Sequence, residues 1–198
     1  MLIQLLSWVM VTLLLATSAG LLIARDWRWS LGLMAVQYLG VFWLVRLHWP
    51  IAMAAVKLIT GWMVIAALGI TRLSTTQEAI SPKEAWPSGW TFRLFAGGIV
   101  VAIVAAVTPR VPNVLPGIGL PETAGSLLLI GLGLLHLGLT ERPLRVILGL
   151  LTVLAGFEII YAALESSVLV AALLAGVNLG LALVGSYLLT LPQTEAAE

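Results

Sequence analysis

No cysteine occurs in the 198 residues. That excludes disulfides, thiolate metal sites, cysteine-ligated iron–sulfur clusters and a cysteine nucleophile. Charge is almost as scarce: Asp, Glu, Lys and Arg make up 10% of the chain, against about 25% in soluble domains. The formal net charge is +1, so there is no basic surface for nucleic acid. Histidine is limited to His48 and His136, which lie in different segments, and neither metal nor cofactor is expected. Tryptophan is absent beyond Trp90, and no acidic residue lies between Ser166 and Thr194.

Apolar residues fill the space that the missing groups leave. They make up 61% of the chain, where soluble domains hold about 45–50%. One core of this length cannot hide that much apolar surface, so the bilayer must solvate most of it. A soluble enzyme is excluded. The N-terminal apolar run lacks a preceding Lys or Arg and a small-x-small cleavage site, and reads as a retained transmembrane helix rather than a signal peptide.

Seven runs are long enough to approach a span of about 20 residues: 2–24, 29–48, 51–71, 93–109, 124–140, 146–164 and 167–190. The expected fold is an all-α, polytopic bundle of about seven transmembrane helices. Arg25-Asp26-Trp27-Arg28, Trp49-Pro50, the polar stretch from Arg72 to Trp90, the prolines at 109, 112 and 116, Glu141-Arg142-Pro143 and Glu165-Ser166-Ser167 separate the runs. Pro143 suits a first helical turn, where its missing N–H costs nothing. Ser166-Ser167 suits an N-cap. The loops after the first, third and fifth runs carry Arg25, Arg28, Arg72, Lys83, Arg93, Arg142 and Arg145, against Arg46 and Arg110 on the other side. By the positive-inside rule this predicts an outside N-terminus and a cytoplasmic C-terminus.

Displaced by 117 residues, the interval from Arg25 to Arg142, the chain matches itself. Arg28 falls on Arg145, Leu31-Gly32-Leu33 on Leu148-Gly149-Leu150, and Ala54-Ala55 on Ala171-Ala172. The pattern points to a parallel duplication of a three-helix unit. Residues 1–71 form the first unit, 72–123 a polar loop with a linking helix and a proline-rich connection, and 124–198 the second unit.

Ionisable groups at bilayer depth are costly and mark function or a necessary pairing. Lys57, His136 and Glu158 are the candidates for a proton path; Gln37 and Asn178 are polar but neutral. Lys57 lies about four residues before the middle of its run and Glu158 about three beyond the middle of a run of opposite direction, at about 1.5 Å per residue. Both therefore fall in the same half of the membrane, and His136 in the other. A Lys57–Glu158 pair would either neutralise two buried charges and fix packing or exchange protons. Arg46 and Glu165, near helix ends, should snorkel to the interface. The tryptophans at 27, 29, 49, 86 and 90 read as interfacial anchors, and Trp43 and Trp62 as packing residues. Gly176 and Gly180 form G-x-x-x-G, a pattern that permits close helix packing.

Three helices with arginines in the turn after the first, leading into Gly156-Phe157-Glu158-Ile159, resemble the K subunit of respiratory complex I and its antiporter-type relatives. The last run, with Asn178-Leu179-Gly180-Leu181, is also similar to that family's final span. Chain length and layout resemble component E of the hydrogenase-4 group. The resemblance implies a non-redox subunit with no catalytic centre of its own. It would sit in a bacterial or archaeal inner membrane, partnered by antiporter-like membrane subunits and the lipid bilayer, with Glu158 on a buried polar axis. The family's second carboxylate is replaced by Gly176. Either Lys57 supplies the second charge, or the subunit is a structural scaffold of a respiratory or photosynthetic assembly. A free-standing small transporter ranks last, because no broken helix pair marks a substrate site.

Overall fold

Long apolar segments have one economical conformation in lipid, the α-helix, because it satisfies every backbone polar group within the segment. The computed structural model describes residues 1–75 and 89–191, and among these the regular structure is helical. In chain order the helices are α1 (Leu2–Ile23), α2 (Trp27–Arg46), α3 (Ile51–Ser74), α4 (Trp90–Val107), the single turn α5 (Val111–Val114), α6 (Leu120–Gly138), α7 (Pro143–Leu164) and α8 (Val168–Thr190). A 22-residue helix such as α1 or α7 is about 33 Å long, enough for a hydrocarbon core of about 30 Å. Seven of the helices are long and apolar enough to cross a membrane. The chain is an integral membrane protein. Lys83, Trp86 and the tail 193–198 lie outside the described residues.

The breaks have local causes. Asp26 caps α2, its Oδ1 accepting the Arg28 N–H at 3.0 Å. Pro143 opens α7 as expected. Gly117, at φ 103°, turns the chain between α5 and α6, and Pro121 sits in the first turn of α6. Pro109 does not end its span: a 3-10 turn, Thr108–Arg110, carries α4 on into α5. Ser167 stands at the N-cap of α8, but its side chain makes no capping bond, so the expected hydroxyl cap does not form.

Three helices start three or four residues earlier than the hydropathy suggests: α4 at Trp90, α6 at Leu120 and α7 at Pro143. In each, a charged residue that reads as loop lies inside the first turn, namely Arg93, Glu122 and Arg145. Arg93 Nη1 donates to the Leu22 carbonyl at 3.2 Å, and the buried Arg145 guanidinium donates to the Ala24 carbonyl. Both thus meet the C-terminal carbonyls of α1, where a cation is favoured by the helix dipole. Glu122 lies in the first turn of α6, the matching place for an acid.

Helices α1, α2, α6 and α7 form the centre. α3 and α8 pack together on α2 and α7, while α4 lies against α1 and α6. One apolar cluster, including Leu14, Leu44, Leu129 and Ile159, joins the four central helices. A second, including Met34, Tyr38, Leu68, Leu148 and Leu151, joins α2, α7, α3 and α8. The tightest contact is between α6 and α7: a Cβ on Gly156 would lie 2.7 Å from the Ser126 carbonyl oxygen, and one on Gly133 3.0 Å from the Val153 nitrogen. The outward faces of α4 and α8 are apolar and exposed, suited to lipid.

Candidate functional site

A carboxylate or an ammonium in a low-dielectric interior is tolerated when it finds an opposite charge and further hydrogen bonds. Lys57 on α3 and Glu158 on α7 do so. Their side chains, 7% and 2% exposed, form an ion pair between Nζ and Oε2. The other carboxylate oxygen, Oε1, accepts from Asn178 Nδ2 on α8 at 2.9 Å. Asn178 is fully buried; its Nδ2 also donates to the Leu174 carbonyl at 2.9 Å, and its Oδ1 accepts from the Tyr38 hydroxyl at 3.3 Å. The Lys57 ammonium stands 5.4 Å from the Tyr38 ring centroid, within cation–π range. Four helices, α2, α3, α7 and α8, therefore meet at one polar cluster. Gly61 makes room for it, since a Cβ there would come 2.5 Å from the Tyr38 ring.

A neutral network adjoins this cluster. The Ser18 hydroxyl donates to Gln37 Oε1 at 3.3 Å, Gln37 Nε2 donates to Thr152 Oγ1 at 3.4 Å, and the Thr152 hydroxyl donates to the Leu148 carbonyl at 2.8 Å. Gln37 and Tyr38 are consecutive in α2, so one helix contributes to both networks. The charged cluster lies toward the bundle end that carries His48, and the neutral network lies near mid-span.

His136 does not join them. It lies level with Gly149, nine residues before Glu158 on α7, so the two are about 14 Å apart along the bundle at 1.5 Å per residue. There, near the arginine-rich end, its ring lies beside Gly149, and its Nε2 is buried without a hydrogen-bond partner among the described residues. His48 is at the other end, its Nε2 3.8 Å from Glu122 Oε1. Among the described residues no three His, Asp or Glu side chains converge as metal ligands.

Several readings of single residues change. Trp49 is 6% exposed and donates its Nε1 proton to the Glu165 carbonyl at 2.9 Å, so it ties the α2–α3 turn to the end of α7 instead of anchoring in lipid. Trp62 is 47% exposed, its Nε1 donating to the Ala35 carbonyl at 3.2 Å; it borders the lipid rather than filling the core. A Cβ on Gly176 or Gly180 would meet no atom within 4 Å among the described residues, so neither makes a close helix approach there. Gly185 makes the close approach on α8, against Leu68 and Ile147. Arg46 is exposed and reaches back over the Trp43 ring, and Glu165 is exposed at the end of α7.

Tyr38, Thr152, Ser18 and Glu122 were not legible as site residues. Neutral hydroxyls in apolar helices carry no charge penalty to mark them. The available signal for Glu122 was an acid three residues after a glycine, ahead of an apolar run. Comparison of the chain with protein-family models, with curated proteins and with solved structures finds no match to any of the three.

Proposed function

We propose that this integral membrane protein is a non-redox subunit of a proton-translocating assembly related to complex I and hydrogenase-4. In this reading Glu158 is the proton-exchanging carboxylate of a buried polar axis, and Lys57 is the opposing charge that tunes it. The observation that carries the reading is the Lys57–Glu158 pair itself, buried among four helices, with Glu158 Oε1 accepting from Asn178 and Asn178 Oδ1 accepting from the Tyr38 hydroxyl. Ionisable groups at such depth are characteristic of ion pathways. His136, apart from this cluster near the arginine-rich end, would serve as a separate proton-exchanging group. The exposed apolar faces of α4 and α8 suit contact with lipid and with antiporter-like membrane subunits. The N-terminus would be outside and the arginine-rich end cytoplasmic, in a bacterial or archaeal inner membrane.

A scaffold role in a respiratory or photosynthetic assembly is favoured by one observation. Position 176, where the resembling family has its second carboxylate, is a glycine on an open helix face, and no acid replaces it between Ser166 and Thr194. Gentle detergent extraction followed by native mass spectrometry separates the two. Antiporter-like membrane subunits together with a hydrogenase or quinone-reducing arm are expected. Pigment-binding partners would favour the scaffold, and a lone chain would contradict both.

A further inference from the structure

At the arginine-rich end, three cations gather around the seam between α2 and α3. A Cβ on Gly69 of α3 would lie 3.5 Å from the Leu31 side chain of α2, and Trp62 Nε1 of α3 donates to the Ala35 carbonyl of α2 at 3.2 Å. These contacts set the register of the antiparallel pair. Arg28 lies one turn before Leu31 and Arg72 one turn after Gly69, so the two arginines stand at the same level, with Arg25 in the turn just beyond. Arg25 and Arg28 are exposed and Arg72 is half-buried. None of the three makes a side-chain hydrogen bond or ion pair among the described residues. Asp26, between Arg25 and Trp27, spends its Oδ1 on capping α2. The positive-inside rule accounts for basic residues at this end, but not for three unpaired ones around a single seam.

Below the arginines the seam is shallow and apolar. Gly32 is exposed, a Cβ there would meet nothing within 4 Å, and the exposed Ala66 lies opposite it in the same register. Trp29 stands at the mouth, 72% exposed, and the Trp62 indole crosses the seam at its far end. From Arg72 to Trp62 is about 15 Å at 1.5 Å per residue, half of a hydrocarbon core of about 30 Å. The seam is therefore one leaflet deep, open to lipid along its length and basic at its mouth.

An occupant that meets both features carries a negative head on an apolar tail. A soluble anion would use the arginines and ignore the seam. A zwitterionic head brings its own cation to a mouth that is already positive. Phosphate suits the guanidinium groups, which bind it through paired N–H donors, and basic pockets between helices at a membrane surface take anionic head groups in this way.

We infer that the α2–α3 seam binds an anionic phospholipid, its phosphate between Arg28 and Arg72 with Arg25 alongside, and an acyl chain over Gly32 and Ala66 down to Trp62. The inference stands apart from any proton exchange at Glu158.

Native mass spectrometry of the full chain, titrated with phosphatidylglycerol and with phosphatidylcholine of the same acyl chains, tests it. The wild-type chain is expected to retain phosphatidylglycerol about tenfold more tightly, as two cations at a membrane surface would give. Arg28→Gln with Arg72→Gln should erase that preference. Arg46→Gln with Arg110→Gln removes the same charge from exposed residues at the other end of the bundle and should leave it intact. Gly32→Phe, placed in open space where folding should tolerate it, should weaken phosphatidylglycerol severalfold by filling the seat of the chain. Glycerol phosphate at the same concentration should not compete. Equal retention of the two lipids would overturn the inference, as would equal losses from the two double variants, which would show attraction by net charge alone. Competition by glycerol phosphate, or retention that Gly32→Phe leaves unchanged, would overturn it too, showing an adventitious ion only.

Discussion

Displaced by 117 residues, Glu158 of α7 falls on Val41 of α2, and Lys57 of α3 falls on Leu174 of α8. The same displacement pairs α1 with α6, α2 with α7 and α3 with α8, and the members of each pair are in contact. Val41 is fully buried in an apolar cluster, whereas Glu158 at the equivalent place anchors the polar one. Gly61 falls likewise on Asn178: the glycine yields space to Tyr38, and the asparagine hydrogen-bonds it. The two halves thus contribute unlike groups from unlike positions.

The comparison breaks most sharply if one charge is removed. Glu158→Leu or Lys57→Met alone leaves an uncompensated buried charge and is expected to cost about 3–5 kcal/mol. The double substitution, which restores the apolar character of Val41 and Leu174, should return most of that stability. Detergent-unfolding titrations of the three variants check this; a double variant as unstable as the sum of the singles would contradict the pairing.

Next comes Gly156, whose equivalent in the first half is Leu39, 40% exposed. Gly156→Leu would drive a side chain into the Ser126 carbonyl and is expected to cost about 1–3 kcal/mol. Leu39→Ala should change little, within about 0.5 kcal/mol. Similar losses at both positions would mean that the α6–α7 contact is no closer than its counterpart.

Asn178→Leu removes the amide between Glu158 and Tyr38 and should cost about 1–2 kcal/mol, the range of interhelical hydrogen bonds in membranes. Asn178→Gly, the residue that stands at the equivalent place in the first half, should do no better. The smallest effect belongs to Gly176→Leu and Gly180→Leu. With open space at both Cβ positions, the isolated chain should lose no more than about 0.5 kcal/mol. A loss confined to a larger assembly would locate a partner helix on that face of α8.

Hydropathy made the seven spans legible because lipid solvation leaves an apolar segment little choice but a helix. It misplaced three helix starts because Arg93, Glu122 and Arg145 end in polar tertiary contacts that a linear reading treats as loop. The Lys57 and Glu158 depths followed from counting residues along opposed helices, but Tyr38 and Thr152 did not, since neutral groups add no burial penalty large enough to notice. Trp49 sits at a turn, where tryptophan usually meets the interface; only packing reveals the Glu165 carbonyl that holds it. The orientation of Gly176 and Gly180 was not legible either. α8 is apolar around most of its circumference, and without a polar face the helical period does not say which side turns inward.

Proton translocation by the assembled complex carrying Glu158→Gln is the most direct test of the central claim. Glutamine keeps the size and much of the hydrogen bonding to Asn178 but cannot ionise. The account predicts an assembled complex whose redox turnover persists while coupled proton movement falls severalfold or more. An assembled complex that translocates protons at the wild-type ratio would contradict it and leave the Lys57–Glu158 pair a structural tie.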